Sequence, residues 1–400
     1  MTNTTNTLPA IIIGGPPHMG KTVLLYSLAE ALRQRGIAHH TIRACPDGEG
    51  NWSQEATPEV VQRIRSKGAW SDEFTERICQ DLPRRLLPML IDAGGRPLEQ
   101  QLQIFQECTH AILLFQEQDQ TSKAFWLNVV DRCGLIPLAQ IDSARNGTSS
   151  ISQSEPIILG TLAGLRRHET VNGDLFTLLV DRIASLFSSY SLAELERIYL
   201  EQAPTEFVLE VKQLLQTIAP AATRWDPSML RGLLEYVPAN CPLSVYGHGP
   251  HWLYGALAAH TGTQAFYQFN PRDPNQQSET SMGWMVSPPI HIGVPNNEEM
   301  CIDTREGEEY VQLTIKIEKH HLEYDTTNLL AFPLVTCHKG LVLNGKMPSW
   351  LLTALVRFYA PRVSWIAYHY PQIQGAIIIA SQCPLHPVGG VLPFLLSPGV

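Results

Sequence analysis

Positive charge is scarce in these 400 residues: lysine and arginine together number 29 against 38 aspartates and glutamates, a formal net charge of -9. That balance excludes a generic, charge-driven affinity for DNA or RNA, but it leaves room for one compact anion held in a local pocket. Close cysteine pairs are also missing. The eight cysteines (Cys45, Cys79, Cys108, Cys133, Cys241, Cys301, Cys337 and Cys383) include no CxxC. Several lie in apolar runs, so reduced and mostly buried thiols are expected. No apolar run is long enough to span a bilayer. The opening MTNTTNTLPAIII lacks the basic segment and long apolar core of a signal peptide. The expectation is a cytoplasmic protein with neither DNA nor membrane as a partner. A composition of 44% hydrophobic and 17% charged residues is that of a globular chain, and the length suits two or three domains.

What is present is a repeated layout. Gly247 to Arg272, GHGPHWLYGALAAHTGTQAFYQFNPR, reads as a tight glycine turn, a helix and a strand ending in a polar loop. Pro250 is expected at the first helical position, where its missing N–H costs nothing. About a hundred residues later the layout returns as NGKMPSWLLTALVRFYAPRVSWIAYHYPQ, Asn344 to Gln372. Gly247, Pro250, Trp252, Leu253, Ala256 and Leu257 match Gly345, Pro348, Trp350, Leu351, Ala354 and Leu355 at one constant offset. Two related small domains are therefore expected in the second half, after a different first domain.

That first domain opens on a short buried strand, Ile11 to Ile13, running into GPPHMGKT and a helix-like VLLYSLAEALRQRG. This is the phosphate-binding P-loop pattern in its strand–loop–helix context. Gly15 and Gly20, with His18 and Met19 between them, let backbone N–H groups wrap phosphate oxygens at a helix N-terminus. Lys21 can reach the terminal phosphates of ATP, and the Thr22 hydroxyl can ligate Mg²⁺. Strands are expected near 40–45, 86–95, 110–115, 135–141 and 156–162, separated mostly by helices, as in a parallel sheet. Asp92 ends one of them, where it either helps Thr22 hold Mg²⁺ or caps a turn. Asp47 and Glu49 either meet a phosphoryl acceptor or form an Asp-Gly turn. Arg166 and Arg167 are either a lid over phosphates or a solvated helix end. These features resemble the P-loop NTPase superfamily, closer to its compact kinase branch than to a hexameric motor.

From Tyr310 onward the chain reads as an alternating strand, YVQLTIKIEK, then LVLNGKMPSWLLTALVRFYAP, a second strand, a turn and QGAIIIAS. This region resembles the CRISPR-associated ring nuclease three (Csx-three) family, densest over about 310–382. The first copy carries the likeness from about 242 to 287, with an opening strand near 207–211. The resemblance implies an α/β chain in three parts: a P-loop NTPase domain over 1–190 with a mostly parallel sheet, and ring-nuclease-type domains over 207–300 and 301–400. Residues 191–206 would connect them. It implies cyclic tetra-adenylate as the ligand, cleavage by the ribose 2′-hydroxyl, and a homo-oligomer that encloses the ring face to face. Mn²⁺ is a further cofactor that the family admits.

In that family the second strand ends in Asp-Pro-Arg. Here Arg272 matches, but Asn270 stands at the aspartate position, with Asp273 as a substitute acid, and the second copy has Tyr370-Pro371-Gln372. The family's histidine between helix and strand falls closest to His260. Gly247, His248 and Gly249, with Gly345 and Lys346 in the second copy, would contact the ligand at a helix N-terminus. Unaided by the resemblance, the same glycines are equally ordinary turn residues, and His248 and His251 are equally ordinary exposed ones. Two other functions stay open: a P-loop kinase for a small molecule or nucleotide, and a regulator that binds the ring without cutting it.

Overall fold

Ala10 to Gly14 is buried at every position, and a strand buried on both faces belongs inside a sheet covered by helices on each side. The computed structural model describes residues 8–44, 72–116, 119–166, 169, 171–271, 283–293, 300–317, 322, 324, 330–335 and 338–393. They fall into two compact units that meet in sequence between Arg197 and Ile198.

The strands of the first unit are β1 (Ala10–Gly14), β2 (His40–Arg43), β3 (Met89–Asp92), β4 (His110–Phe115), β5 (Ile136–Ala144), β6 (Ser150–Gln153) and β7 (Ile158–Ala163). They form one sheet in the order β2-β3-β1-β4-β5-β7-β6, parallel except for the edge strand β6. Its helices are α1 (Lys21–Gln34), α2 (Asp72–Asp81), α3 (Leu102–Gln106), α4 (Gln120–Arg132) and α5 (Asp174–Ser188). Alternation along β1 sends Ile11 and Ile13 into one core with Leu24, Leu28, Leu179 and Ile183 of α1 and α5. Ile12 enters the other core with Leu102, Phe105, Trp126 and Val130 of α3 and α4. The five strands expected after β1 are all present. β6 was not foreseen, and its mostly exposed side chains explain why hydrophobic pattern missed it.

The chain leaves the first unit within α6 (Leu192–Glu201), which takes up most of the expected connector. A sheet follows from β8 (Phe207–Glu210), β9 (Leu243–Tyr246), β10 (Phe266–Phe269) and β11 (Trp284–Val286), with α7 (Val211–Ile218), α8 (Leu230–Tyr236) and α9 (His251–His260). β12 (Ile290–Ile292) pairs with β15 (Leu330–Phe332). The last sheet holds β13 (Met300–Glu306), β14 (Tyr310–Ile317), β16 (Gly340–Asn344), β17 (Trp365–Tyr370), β18 (Gly375–Ser381) and β19 (Val391–Pro393), with α10 (Ser349–Tyr359). The strands β8, β9 and β10 are parallel neighbours and β11 is antiparallel to β10. The strands β14, β16 and β17 are likewise parallel neighbours, with β18 antiparallel to β17. In both sheets a helix joins the second of these strands to the third.

The two halves share one core rather than dividing at residues 300 and 301, a bond that lies inside β13. Seven consecutive residues of α9, Trp252 to Ala258, are buried, and so are Trp350 to Val356 of α10. A helix apolar on every side must be covered on every side. Gly255 of α9 lies so close to α10 and β18 that an added Cβ would meet Ile379 at 3.0 Å and Val356 at 3.6 Å. In the other direction α10 reaches the first sheet. Gln268 Nε2 donates to Ser349 Oγ (3.0 Å), Ser287 Oγ donates to Thr353 Oγ1 (2.8 Å), and Arg357 donates to the Gln264 carbonyl (2.6 Å).

Those contacts fix direction. α10 begins beside Gln268 in the last half of β10 and nears its end beside Gln264, just before β10 starts. It also runs back against its own strands β16 and β17, as a crossover helix must. The parallel strands of both sheets therefore point the same way, and the turns at Gly247 and Gly345 lie at one end of the unit with the N-termini of α9 and α10.

Pro250 stands one place earlier than expected, and Pro348 takes the same place in its own helix. With ψ of 147° and 153° they are N-caps, and the helices begin at His251 and Ser349, because the ring fixes φ and leaves ψ free. The thiols differ too: among the described cysteines Cys108 is buried, Cys301 is exposed, and Cys79, Cys133, Cys241 and Cys383 lie between. Cys45 and Cys337 lie outside the described residues.

Gly345 has φ 124° and Gly247 has φ 102°. A Cβ on Gly345 would stand 2.0 Å from the Ile315 carbonyl oxygen, whereas on Gly247 its nearest neighbour would be a Glu210 carboxylate oxygen at 2.9 Å, the end of a side chain that caps α7 rather than backbone. Gly345→Ala is expected to cost more than ~2 kcal/mol in denaturant titration, and Gly247→Ala distinctly less.

Candidate nucleotide site and the paired glycine turns

The loop between β1 and α1 is built by backbone conformations that few residues tolerate. Gly15 (φ 137°), His18 (φ 66°) and Gly20 (φ 83°) all have positive φ. A Cβ on Gly15 would lie 2.1 Å from the Leu114 carbonyl oxygen, and one on Gly20 would lie 2.7 Å from Leu165 Cβ. Met19, half-buried between them, packs on the core under α1. Loops of this kind turn successive N–H groups toward an anion. Lys21 is only 6% exposed, and its ammonium donates to the Gly15 carbonyl at 2.9 Å and the Pro16 carbonyl at 2.7 Å.

Because β3 is the direct neighbour of β1, with Ile13 opposite Asp92, the acid is delivered to the base of the loop. Asp92 is 1% exposed. It accepts a 2.6 Å hydrogen bond from the Thr22 hydroxyl and a 3.0 Å bond from the Gly94 N–H. Two hard oxygen donors this close, beside a phosphate-binding loop, suit Mg²⁺. Thr22 and Asp92 would hold it. The cation's chemistry there is to neutralise charge on the nucleotide's phosphates.

Pattern reading did not find Arg43. It ends β2 opposite Asp92, its Nε is 3.6 Å from Asp92 Oδ2, and its Nη2 donates to Thr22 Oγ1 at 3.3 Å. Only the register across three strands brings it there. Arg166 is exposed and occupied by its own loop, donating to the Arg145 carbonyl and Asn146 and pairing with Glu169. Asp47, Glu49 and Arg167 lie outside the described residues. Among the described residues no group of three or more histidines, cysteines or acids is placed to hold a metal ion, so Mn²⁺ has no ligand set of that kind among them.

In the second unit, Gly247 and Gly249 precede α9, and the exposed His248 lies between them. Tyr254 donates to the Gly247 carbonyl at 2.6 Å and pins the turn to its own helix. Burial lowers the pKa of His251 at the head of α9. Asn270 follows β10; its N–H donates to the Gly283 carbonyl (2.7 Å) and its amide points at Met285 Sδ (3.0 Å). Arg272 and Asp273 lie outside the described residues.

His260 does not join them. It ends α9, at the opposite end of the strand–helix–strand unit from Gly247 and Asn270. Its Nε2 donates to the Val237 carbonyl at 2.8 Å. Closeness in sequence misled here, since a ten-residue helix separates its two ends by ~15 Å. No shared site with Asn270 forms within this chain.

The second half carries a polar constellation that sequence reasoning missed. His369 Nδ1 and Asn344 Oδ1 are 2.8 Å apart, Asn344 Nδ2 donates to Thr314 Oγ1 at 3.4 Å, and Gln312 Nε2 donates to the same oxygen at 2.9 Å. Asn344 directly precedes Gly345 and its half-buried neighbour Lys346. The corresponding places in the first half hold aromatics instead: Tyr246 and Phe269 pack at a tilt with centroids 4.7 Å apart, beside Tyr199 and Trp284. The alternating pattern of β17 gave a weak signal for His369. Its partners depend on pairing between distant strands. Tyr370 leads into a 3₁₀ turn, Pro371–Ile373, that contains Gln372.

Three comparisons bear on this geometry. Residues 315–393 match the family model described as CRISPR-associated protein (Cas_csx3). No curated protein matches the chain. Among solved structures, similarity extends to chloroplast FtsY from Physcomitrella patens, with 18% identity, a TM-score of 0.24, and 34% of this chain and 49% of that chain covered. A nucleotide-binding protein in complex with ADP from Archaeoglobus fulgidus gives 12% identity, a TM-score of 0.26 and coverages of 45% and 88%. The 54 kDa signal recognition particle protein from Aeropyrum pernix K1 in complex with GDP gives 16%, 0.29, and 59% of each chain. This chain thus spans about half of the FtsY chain. At scores this low the nucleotide site rests on the loop's own geometry.

Two outcomes follow. Lys21→Ala and Asp92→Asn are each expected to weaken ADP binding in the presence of Mg²⁺ at least about tenfold by calorimetry, while only Lys21→Ala does so in EDTA. Burial pushes the pKa of His369, 4% exposed, from 6.5 down to about 4. The unfolded chain then binds this proton first as pH falls. Its contribution to stability is complete above about 6.5 and is lost on acidification toward about 4, a change of about 3 kcal/mol. Denaturant titrations across that window should show a shallower slope in His369→Gln.

Proposed function

We propose that the second unit binds cyclic tetra-adenylate across the end where its two glycine turns lie, and cleaves it, under the control of an ATP- and Mg²⁺-binding first unit. The supporting observation is one strand pattern occurring twice around a shared helical layer, with both turns and both helix N-termini at the same end. The match of residues 315–393 to a CRISPR-associated family adds to it. Four phosphates on a ring call for several donors on a two-fold-like platform. Gly247, His248 and Gly249 in one half, and Gly345 and Lys346 in the other, would supply them. A second copy of the chain, set face to face, would enclose the ring.

Cleavage needs alignment rather than a protein nucleophile. The ribose 2′-oxygen bonds to phosphorus as the P–O5′ bond breaks, and the proton lost from the 2′-hydroxyl ends on the departing 5′-oxygen. Arg272 would neutralise charge on the phosphate, and Asp273 would act in place of the acid that Asn270 is not.

One observation favours a second reading, binding without cleavage. Neither half has an acid at the Asn270 position or its counterpart Tyr370, and the amide of Asn270 faces Met285 Sδ. Incubating the full chain with cyclic tetra-adenylate, with and without ATP and Mn²⁺, and separating the products decides between them. Linear products that disappear in Arg272→Ala support the nuclease. Tight retention of an intact ring supports the regulator. Transfer of labelled γ-phosphate to an acceptor, with the ring untouched, would support a kinase instead.

A further inference from the structure

The geometry points to Arg43 as a built-in competitor of the divalent cation, an inference that rests on the first unit's reading as an ATP site. Arg43 is the last residue of β2, and its side chain is 13% exposed. It addresses the two oxygens that would take Mg²⁺. Its Nη2 donates to Thr22 Oγ1 at 3.3 Å, and its Nε lies 3.6 Å from the same Asp92 oxygen, Oδ2, that accepts the Thr22 hydroxyl at 2.6 Å. A guanidinium this close to both oxygens leaves no room for a second cation between them. Buried like charges also repel strongly when water is excluded.

Arg43 therefore holds Thr22 and Asp92 in register while no cation is bound, and it has to withdraw before Mg²⁺ and nucleotide engage them together. The P-loop motif requires nothing of this residue. A small or neutral side chain at the end of β2 would leave the two oxygens open. Arg43 makes divalent-cation binding conditional on a side-chain movement, so it sets the cation concentration at which the site loads.

A merely structural role, neutralising the buried Asp92, makes a different prediction. Removing Arg43 would then destabilise the fold and leave cation affinity unchanged or weaker. The test is Mn²⁺ binding to the full chain in the presence of ADP, followed by electron paramagnetic resonance of free Mn²⁺, with ADP affinity in EDTA measured in parallel. Arg43→Gln and the similarly shaped Arg43→Met are expected to bind Mn²⁺ about tenfold tighter than wild type, with Arg43→Lys between. ADP affinity in EDTA, where competition with a cation plays no part, should not rise with it. Equal or weaker Mn²⁺ binding in the folded neutral variants, with wild type still binding ADP and Mn²⁺, overturns the competition alone. Wild type that binds ADP under neither condition overturns the nucleotide reading and this inference with it. If both neutral variants fail to fold, Arg43→Lys decides, since competition requires it to bind Mn²⁺ tighter than wild type.

Discussion

Gly255 marks the contact on which the second unit depends. At that point α9 has no side chain, and α10 and β18 close on its backbone. Two helices that are apolar on all sides cannot each cover one sheet and face water. Each must lie between sheets, and the four-stranded and six-stranded sheets supply the two faces. Once α9 and α10 form that shared layer, the direction of one sheet dictates the direction of the other. Both glycine turns then open at the same end. The placement of both turns at one end is a consequence of this packing, not an addition to it.

The halves differ on the faces turned away from the helices. The first half fills its strand ends with Tyr246, Phe269 and Trp284, against Tyr199. The second keeps Gln312, Thr314, Asn344 and His369 in a hydrogen-bonded chain. Aromatic packing there stiffens one turn from beneath, whereas a buried polar chain is sensitive to whatever perturbs one member. In the first unit a similar economy governs the candidate nucleotide site: the order β2-β3-β1 places Arg43, Asp92 and the P-loop side by side.

How much of this was legible in the sequence depended on range. The P-loop could be read because Gly15 and Gly20 sit where a Cβ would strike Leu114 or Leu165, so residue type reports conformation. The doubled layout could be read because matching residues recur at one offset. Pro250 was placed one residue late because proline constrains φ and says little about ψ. His260 was grouped with Asn270 because spacing along the chain does not reveal that a helix carries the chain back across the sheet between their two ends. Arg43, Asn344 and His369 were invisible for a shared reason: their partners come from strand registers between distant segments. The common core of the two halves left a trace, seven unbroken apolar positions in α9, that a hydrophobic-moment argument discards because it has no polar face.

The account stands on both turns serving one ligand. Hydrogen exchange of the full chain, titrated with cyclic tetra-adenylate, reads this most directly. The backbone amides at 247–253 and 345–351 should gain protection together, with one midpoint. Protection confined to one turn, or two turns titrating at separate concentrations, would contradict it.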